Sequence, residues 1–78
     1  MKYRIGEVAQ LFGLTKGGVR YLEDRGFIHS LRDENNSYRY YDRKQVTAIK
    51  KIRHYQALGF SLEEAAALVK IKDSGQLL

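Results

Sequence analysis

The stretch IGEVAQLFGLTKGGVRYLEDRGF, residues Ile5–Phe27, decides the architecture. Its first part places Ile5, Val8, Ala9 and Phe12 at i, i+3, i+4 and i+7, one apolar face at helical spacing. Gly13 stops that helix, because glycine accepts the left-handed conformation in which helices end. Only Gly13, Leu14 and Thr15 then separate it from the next element. Thr15 is the expected N-cap of a second helix, its hydroxyl placed to accept from an amide two or three residues on. Lys16, Gly17 and Gly18 form the first turn, Val19 and Leu22 share an inward face, and Lys16, Arg20 and Glu23 point elsewhere. A glycine in a helix interior costs about 1 kcal/mol relative to alanine. In the first turn, where amides lack an intrahelical acceptor in any case, the penalty is smaller. Gly26 is the expected terminating glycine, with Phe27 folding back onto Leu22 as the apolar contact of a Schellman ending.

Working outward, HSLR and SYRYY flank the polar cluster DENNS. Asn35 and Asn36 tolerate positive φ, so this reads as a β-hairpin with its loop around residues 33–37. Alternation puts Tyr38 and Tyr40 on one face and Arg39 and Tyr41 on the other, one pair for the domain and one for solvent or phosphate. Asp42 with Gln45 resembles a capping box. It opens a third helix with Val46, Ile49 and Ile52 inward and an end at Gly59. Ser61 with Glu64 repeats the signature ahead of a stripe of Leu62, Ala65, Ala66 and Val69. The order is helix, tight turn, helix, hairpin, helix, helix. That is a mainly α fold with a small β-hairpin wing, a winged helix-turn-helix of four helices. Residues 1–72 form the expected domain, and 73–78 a linker or frayed end.

Composition narrows the chemistry. The chain of 78 residues has no cysteine, which removes disulfides, zinc–thiolate sites and thiol catalysis. No apolar run approaches the ~20 residues of a membrane span and no signal peptide opens the chain, so a cytoplasmic protein is expected. Charge is uneven: residues 1–60 carry twelve Lys and Arg against six acids, residues 61–78 two against three. With a net charge of +5 and a pI near 9.6, a polyanion is the natural partner.

In a winged helix-turn-helix the second helix enters the major groove, its N-terminal residues nearest the base edges. Arg20 can offer a bidentate fork to guanine or phosphate, Lys16 a point charge, and Tyr21 a hydroxyl on a stiff ring. With no side chains on Gly17 and Gly18, the amides of the helix start can approach a phosphate closely, where the helix dipole also favours an anion. Arg32, Tyr38, Arg39 and Tyr41 make up the wing. Interleaved arginine and tyrosine also suit stacking on unpaired bases, so a single-stranded nucleic-acid module is a lesser alternative. His29 and His54 have no partners at metal-ligand spacing and read as surface residues. Lys50, Lys51, Arg53 and His54 read as a solvated basic face. Glu63 and Glu64 complement the dipole of the last helix. No nucleophile–base constellation is visible, so neither an enzyme, a metal nor a cofactor is expected.

The run YRIGEVAQLFGLTKGGVRYLEDRGFI, then SYRYYD, then LGFSLEEA, strongly resembles the DNA-binding domain of MerR-family transcription regulators over roughly residues 3–70. The resemblance implies a homodimer on palindromic double-stranded promoter DNA. It also implies bending and undertwisting of an over-long promoter spacer, through which RNA polymerase is engaged indirectly. Position by position, Arg20 and Tyr21 match the family's recognition-helix contacts and Tyr38 and Arg39 its wing. Gly59, Phe60 and Ser61 match a second, smaller wing whose helix-start amides face phosphate. Leu22 stands where a second aromatic is common, Gly17 and Gly18 where relatives carry reaching side chains, and Ser37 where glycine is frequent. Family dimers are held by a long antiparallel coiled-coil helix beyond the fourth helix, and this sequence ends at Leu78. An excised DNA-binding domain, monomeric by itself, is the expectation; a stand-alone DNA-bending protein of the excisionase kind is the alternative.

Overall fold

The computed structural model describes residues 1–73. Along the chain lie α1 (Ile5–Phe12), α2 (Lys16–Asp24), β1 (Leu31–Arg32), β2 (Arg39–Tyr40), α3 (Arg43–Ala57) and α4 (Leu62–Asp73). Val8, Val19, Leu22, Ile28, Ile49 and Ile52 are sealed from solvent at its centre. Burying each such side chain contributes about 1.5–3 kcal/mol. Ala65, Ala66 and Val69 add the α4 stripe, so all four helices feed one core.

Local signals act where the sequence places them. Gly13 takes φ 66° and ends α1. The Gly18 amide donates to Thr15 Oγ1 at 2.9 Å, which starts α2. At its end the Gly26 and Phe27 amides donate to the Glu23 and Leu22 carbonyls, both at 2.9 Å, with Gly26 at φ 79°. That pair of bonds is a Schellman motif. Leu58, Gly59 and Phe60 repeat it after α3, where the Phe60 ring meets Tyr55 edge-on at 6.1 Å. Ser61 and Glu64 form the full capping box, the Glu64 amide donating to Ser61 Oγ at 3.1 Å and the Ser61 amide to Glu64 Oε1 at 2.9 Å.

Three expectations change. Asp42 caps α3 through the Gln45 amide, at 3.2 Å, but the Gln45 side chain does not return the bond. Its Oε1 instead accepts from the His29 amide at 2.9 Å, tying the approach to β1 onto α3. The hairpin is shorter than SYRYY suggests, pairing Leu31 with Tyr40 and Arg32 with Arg39. Its left-handed residue is Ser37, at φ 63°, and not Asn35 or Asn36. Within the loop, Asp33 Oδ1 accepts from the Asn35 amide at 2.8 Å and Asn36 Oδ1 from the Tyr38 amide at 2.9 Å. With these local acceptors holding the loop, the left-handed conformation falls on Ser37, two residues before β2.

The sheet gains a third edge that the sequence pattern does not announce. Tyr3 and Tyr41 exchange both backbone bonds, at 2.9 and 2.7 Å, laying the first residues of the chain beside β2. Lys2 pairs with Asp33 at 3.0 Å on the same flank. At the other end, α4 continues through Asp73, and residues 74–78 of the expected linker lie outside the described residues.

Candidate nucleic-acid interface

Because Val19 and Leu22 turn fully inward, α2 must show Lys16 and Arg20 to solvent, and both are exposed. The wing stands next to that face. Between them runs an open groove of about 800 Å³ that brings Lys16 and Arg20 of α2 together with Tyr38 and Arg39 of the wing. Arg4 and the residues Ile5, Gly6, Glu7 and Gln10 of α1 line it as well. The Lys16 chain lies against Gly6, its Cε 3.5 Å from where a Cβ would stand there.

The wing is held against α2 by one carboxylate. Glu23 accepts from the Tyr41 hydroxyl and from Ser30 Oγ, both at 2.6 Å, and its Oε2 lies 3.9 Å from an Arg39 guanidinium nitrogen. Desolvation pushes the Glu23 carboxyl up, but the Ser30 and Tyr41 hydroxyls and the Arg39 charge outweigh it, holding the group below the usual carboxylate range. Burial and the adjacent Glu23 anion push the Tyr41 phenol well above its ordinary value, so it remains a donor. This settles the wing's two faces residue by residue and not as alternating pairs. Tyr41 is buried while its same-face neighbour Arg39 is exposed. Tyr38 is 59% exposed and Tyr40 half-buried, with the Arg4 and Lys2 cations over their rings at 4.5 and 5.1 Å.

The other candidates take different positions. Thr15 gives its hydroxyl to the α2 cap, and the amides of Lys16 and Gly17 above it have no intrahelical acceptor. Gly17 is exposed and Gly18 half-buried at that turn. Tyr21 is half-buried against the core, with Arg25 over its ring at 5.8 Å. Arg32 donates to the Ser37 carbonyl at 2.9 Å and so closes the wing's own loop instead of lining the groove. Ser61 lies apart, at the start of α4, which Arg25 of the α2 end reaches through Glu63 at 2.6 Å. His29 and His54 are exposed, as are Lys50 and Lys51. Arg53 leaves that basic face: half-buried, it donates to Gln56 at 2.8 Å and lies 3.7 Å from where a Cβ would stand on Gly13. Sequence reasoning missed Arg4 and the clamp at Glu23. Both depend on contacts between segments far apart in the chain, for which no local pattern exists.

A helix-turn-helix whose second helix and β-hairpin share one groove, where Arg4, Lys16, Arg20 and Arg39 stand beside Glu7, Glu23 and Asp24, defines a winged helix-turn-helix domain. The chain belongs to the MerR family: residues 3–71 match the family described as MerR HTH family regulatory protein. It is 37% identical over 73 residues to the mercuric resistance operon regulatory protein of Bacillus cereus, covering 94% of this chain and 55% of that one. It is 38% identical over 71 residues to the HTH-type transcriptional regulator ZntR of Escherichia coli K12, covering 90% and 50%. The chain thus spans about half the length of these relatives. Its fold matches HiNmlR, a MerR family regulator lacking the sensor domain and crystallised on promoter DNA. The TM-score is 0.70 at 19% identity, covering 92% of this chain and 57% of that one.

Proposed function

We propose that this chain is the DNA-binding part of a cytoplasmic transcription regulator that recognises double-stranded promoter DNA. The observation that carries the reading is the groove: Lys16 and Arg20 of α2 and Arg39 and Tyr38 of the wing converge on one open face. A rod of α2's width enters a major groove, and a hairpin beside it falls on the adjacent backbone. Arg20 reads a base edge or phosphate, Lys16 adds phosphate contact, and the Lys16 and Gly17 amides present the positive end of the helix dipole. Tyr38 and Arg39 brace the wing on the sugar–phosphate. Tyr21 offers its hydroxyl beside Arg20 on α2, Arg32 closes the wing's own loop, and Ser61 starts the second, smaller wing.

The relatives' role as regulators supports promoter DNA as the target; a homodimeric parent on a palindromic site, with RNA polymerase engaged through bent, undertwisted DNA, is the further part of the proposal. Part of the specificity then comes from deformability rather than base contacts. A titration of the isotope-labelled chain with duplex oligomers at low salt tests the proposal. Resonances of Lys16–Tyr21 and Tyr38–Tyr41 are expected to move first and furthest. Unmoved resonances in both regions, or larger shifts with single strands, would overturn it.

A further inference from the structure

The groove contains a cation that the recognition helix and the wing do not supply. Arg4 precedes α1, and three contacts fix it. Its amide donates to Glu7 Oε1 at 2.9 Å, its neighbour Tyr3 is bonded twice to Tyr41, and its guanidinium carbon lies 4.5 Å from the centre of the Tyr38 ring. Both side chains stand in solvent, Tyr38 59% exposed.

Among the described residues, the side-chain nitrogens of Lys2, Arg25, Arg39 and Lys51 each have a carboxylate within 4.0 Å, whereas the Arg4 guanidinium, like Lys16 and Arg20 in the same groove, has none. Lys2, two residues earlier, is committed to Asp33. A guanidinium attracted to an aromatic face uses its charge and leaves its fork of N–H donors available for another partner. Such a fork matches two oxygens of one phosphate.

We propose that Arg4, held over the Tyr38 ring, grips a phosphate of the duplex backbone, making the first residues of the chain a further DNA-contacting element beside α2 and the two wings. The proposal rests on the duplex-binding reading above. The Tyr38 ring acts as a positioning surface that holds the guanidinium at the groove's rim. The contact is to backbone and carries no sequence preference.

The test is fluorescence anisotropy with two unrelated labelled duplexes, titrated at salt from about 50 to 200 mM, on this chain and on Arg4→Gln, Arg4→Lys, Tyr38→Leu and Lys16→Gln. Removing one phosphate contact makes the slope of log K against log salt shallower by about 0.9, so Arg4→Gln loses about threefold less affinity than the parent across that range. The effect should be equal on both duplexes. Arg4→Lys should restore the slope but not the full affinity, and Arg4→Gln should cost less when Tyr38 is already leucine. An Arg4→Gln slope equal to the parent's, while Lys16→Gln lowers it, overturns the Arg4 role alone. So does a lower melting temperature with binding intact, since that assigns Arg4 a purely structural part. If the parent chain binds neither duplex, or Lys16→Gln is equally silent, the duplex reading falls with it.

Discussion

Replacing both Gly17 and Gly18 with alanine separates stability from binding at the start of α2. A Cβ on Gly17 would find only Thr15 Oγ1, at 3.7 Å. On Gly18 it would meet the same oxygen at 3.4 Å and Leu14 Cβ at 3.9 Å, so both methyl groups fit. Neither residue has positive φ. Gly→Ala at a compatible position stabilises by about 0.4–1 kcal/mol, chiefly by restricting the unfolded chain, so the pair should contribute about 1–1.5 kcal/mol. In a domain of this size that raises Tm by roughly 5–10 °C. The same methyl groups cover the turn where the Lys16 and Gly17 amides present themselves to an anion. Losing one charge-assisted hydrogen bond there costs about 1.5 kcal/mol, roughly tenfold in Kd. Thermal melts by circular dichroism and anisotropy titrations at low salt measure the two effects on one preparation. Higher Tm with unchanged affinity would refute the close approach of phosphate to this turn. Lower Tm would refute the packing argument itself.

Tyr41→Phe removes the hydroxyl that Glu23 accepts at 2.6 Å and should cost about 1.5 kcal/mol of stability in chemical denaturation. A wing detached from α2 by this change should also show faster amide exchange at Arg39 and Tyr40. Ser37→Gly relieves a left-handed serine at φ 63° and should stabilise by up to about 1 kcal/mol, net of glycine's greater unfolded entropy. An unchanged melting curve would mean that serine meets no strain there. Acid should destabilise the fold, because Glu23, Asp33 and Glu64 all have native carboxyls held below their ordinary values. Their contribution is present in full above pH 4.5 and is lost as pH falls through the lowered native values, so pH-dependent melts should fall off below that point. For Glu23→Gln the fall should be shallower.

The helices were legible because each is written twice, once in apolar periodicity and once in its terminal residues. Thr15, Gly13, Gly26 and the Ser61–Glu64 pair act within four residues of themselves, and such signals survive without knowledge of the rest of the fold. Lys16 and Arg20 follow from the same logic, since burying Val19 and Leu22 leaves them no other direction. The wing was legible only in outline. A two-residue strand carries too little alternation to say which tyrosine turns inward, and that choice is made by Glu23, eighteen residues before Tyr41. Gln45 and Arg53 were misread for a related reason. Each is polar at a helical surface position but finds a protein partner: the His29 amide donates to Gln45, and Arg53 donates to Gln56 one turn along its own helix. Arg4 was overlooked because its importance comes from where the Tyr3–Tyr41 ladder sets it down, which no spacing within α1 encodes.

That ladder also bears on the order in which the molecule assembles and comes apart. Joining Tyr3 to Tyr41 closes a loop spanning about half of the chain, an entropic cost met only after α1 and α2 have docked. Its bonds should therefore be absent from the folding transition state. Lesions at this seam should hasten unraveling while leaving the refolding rate nearly untouched.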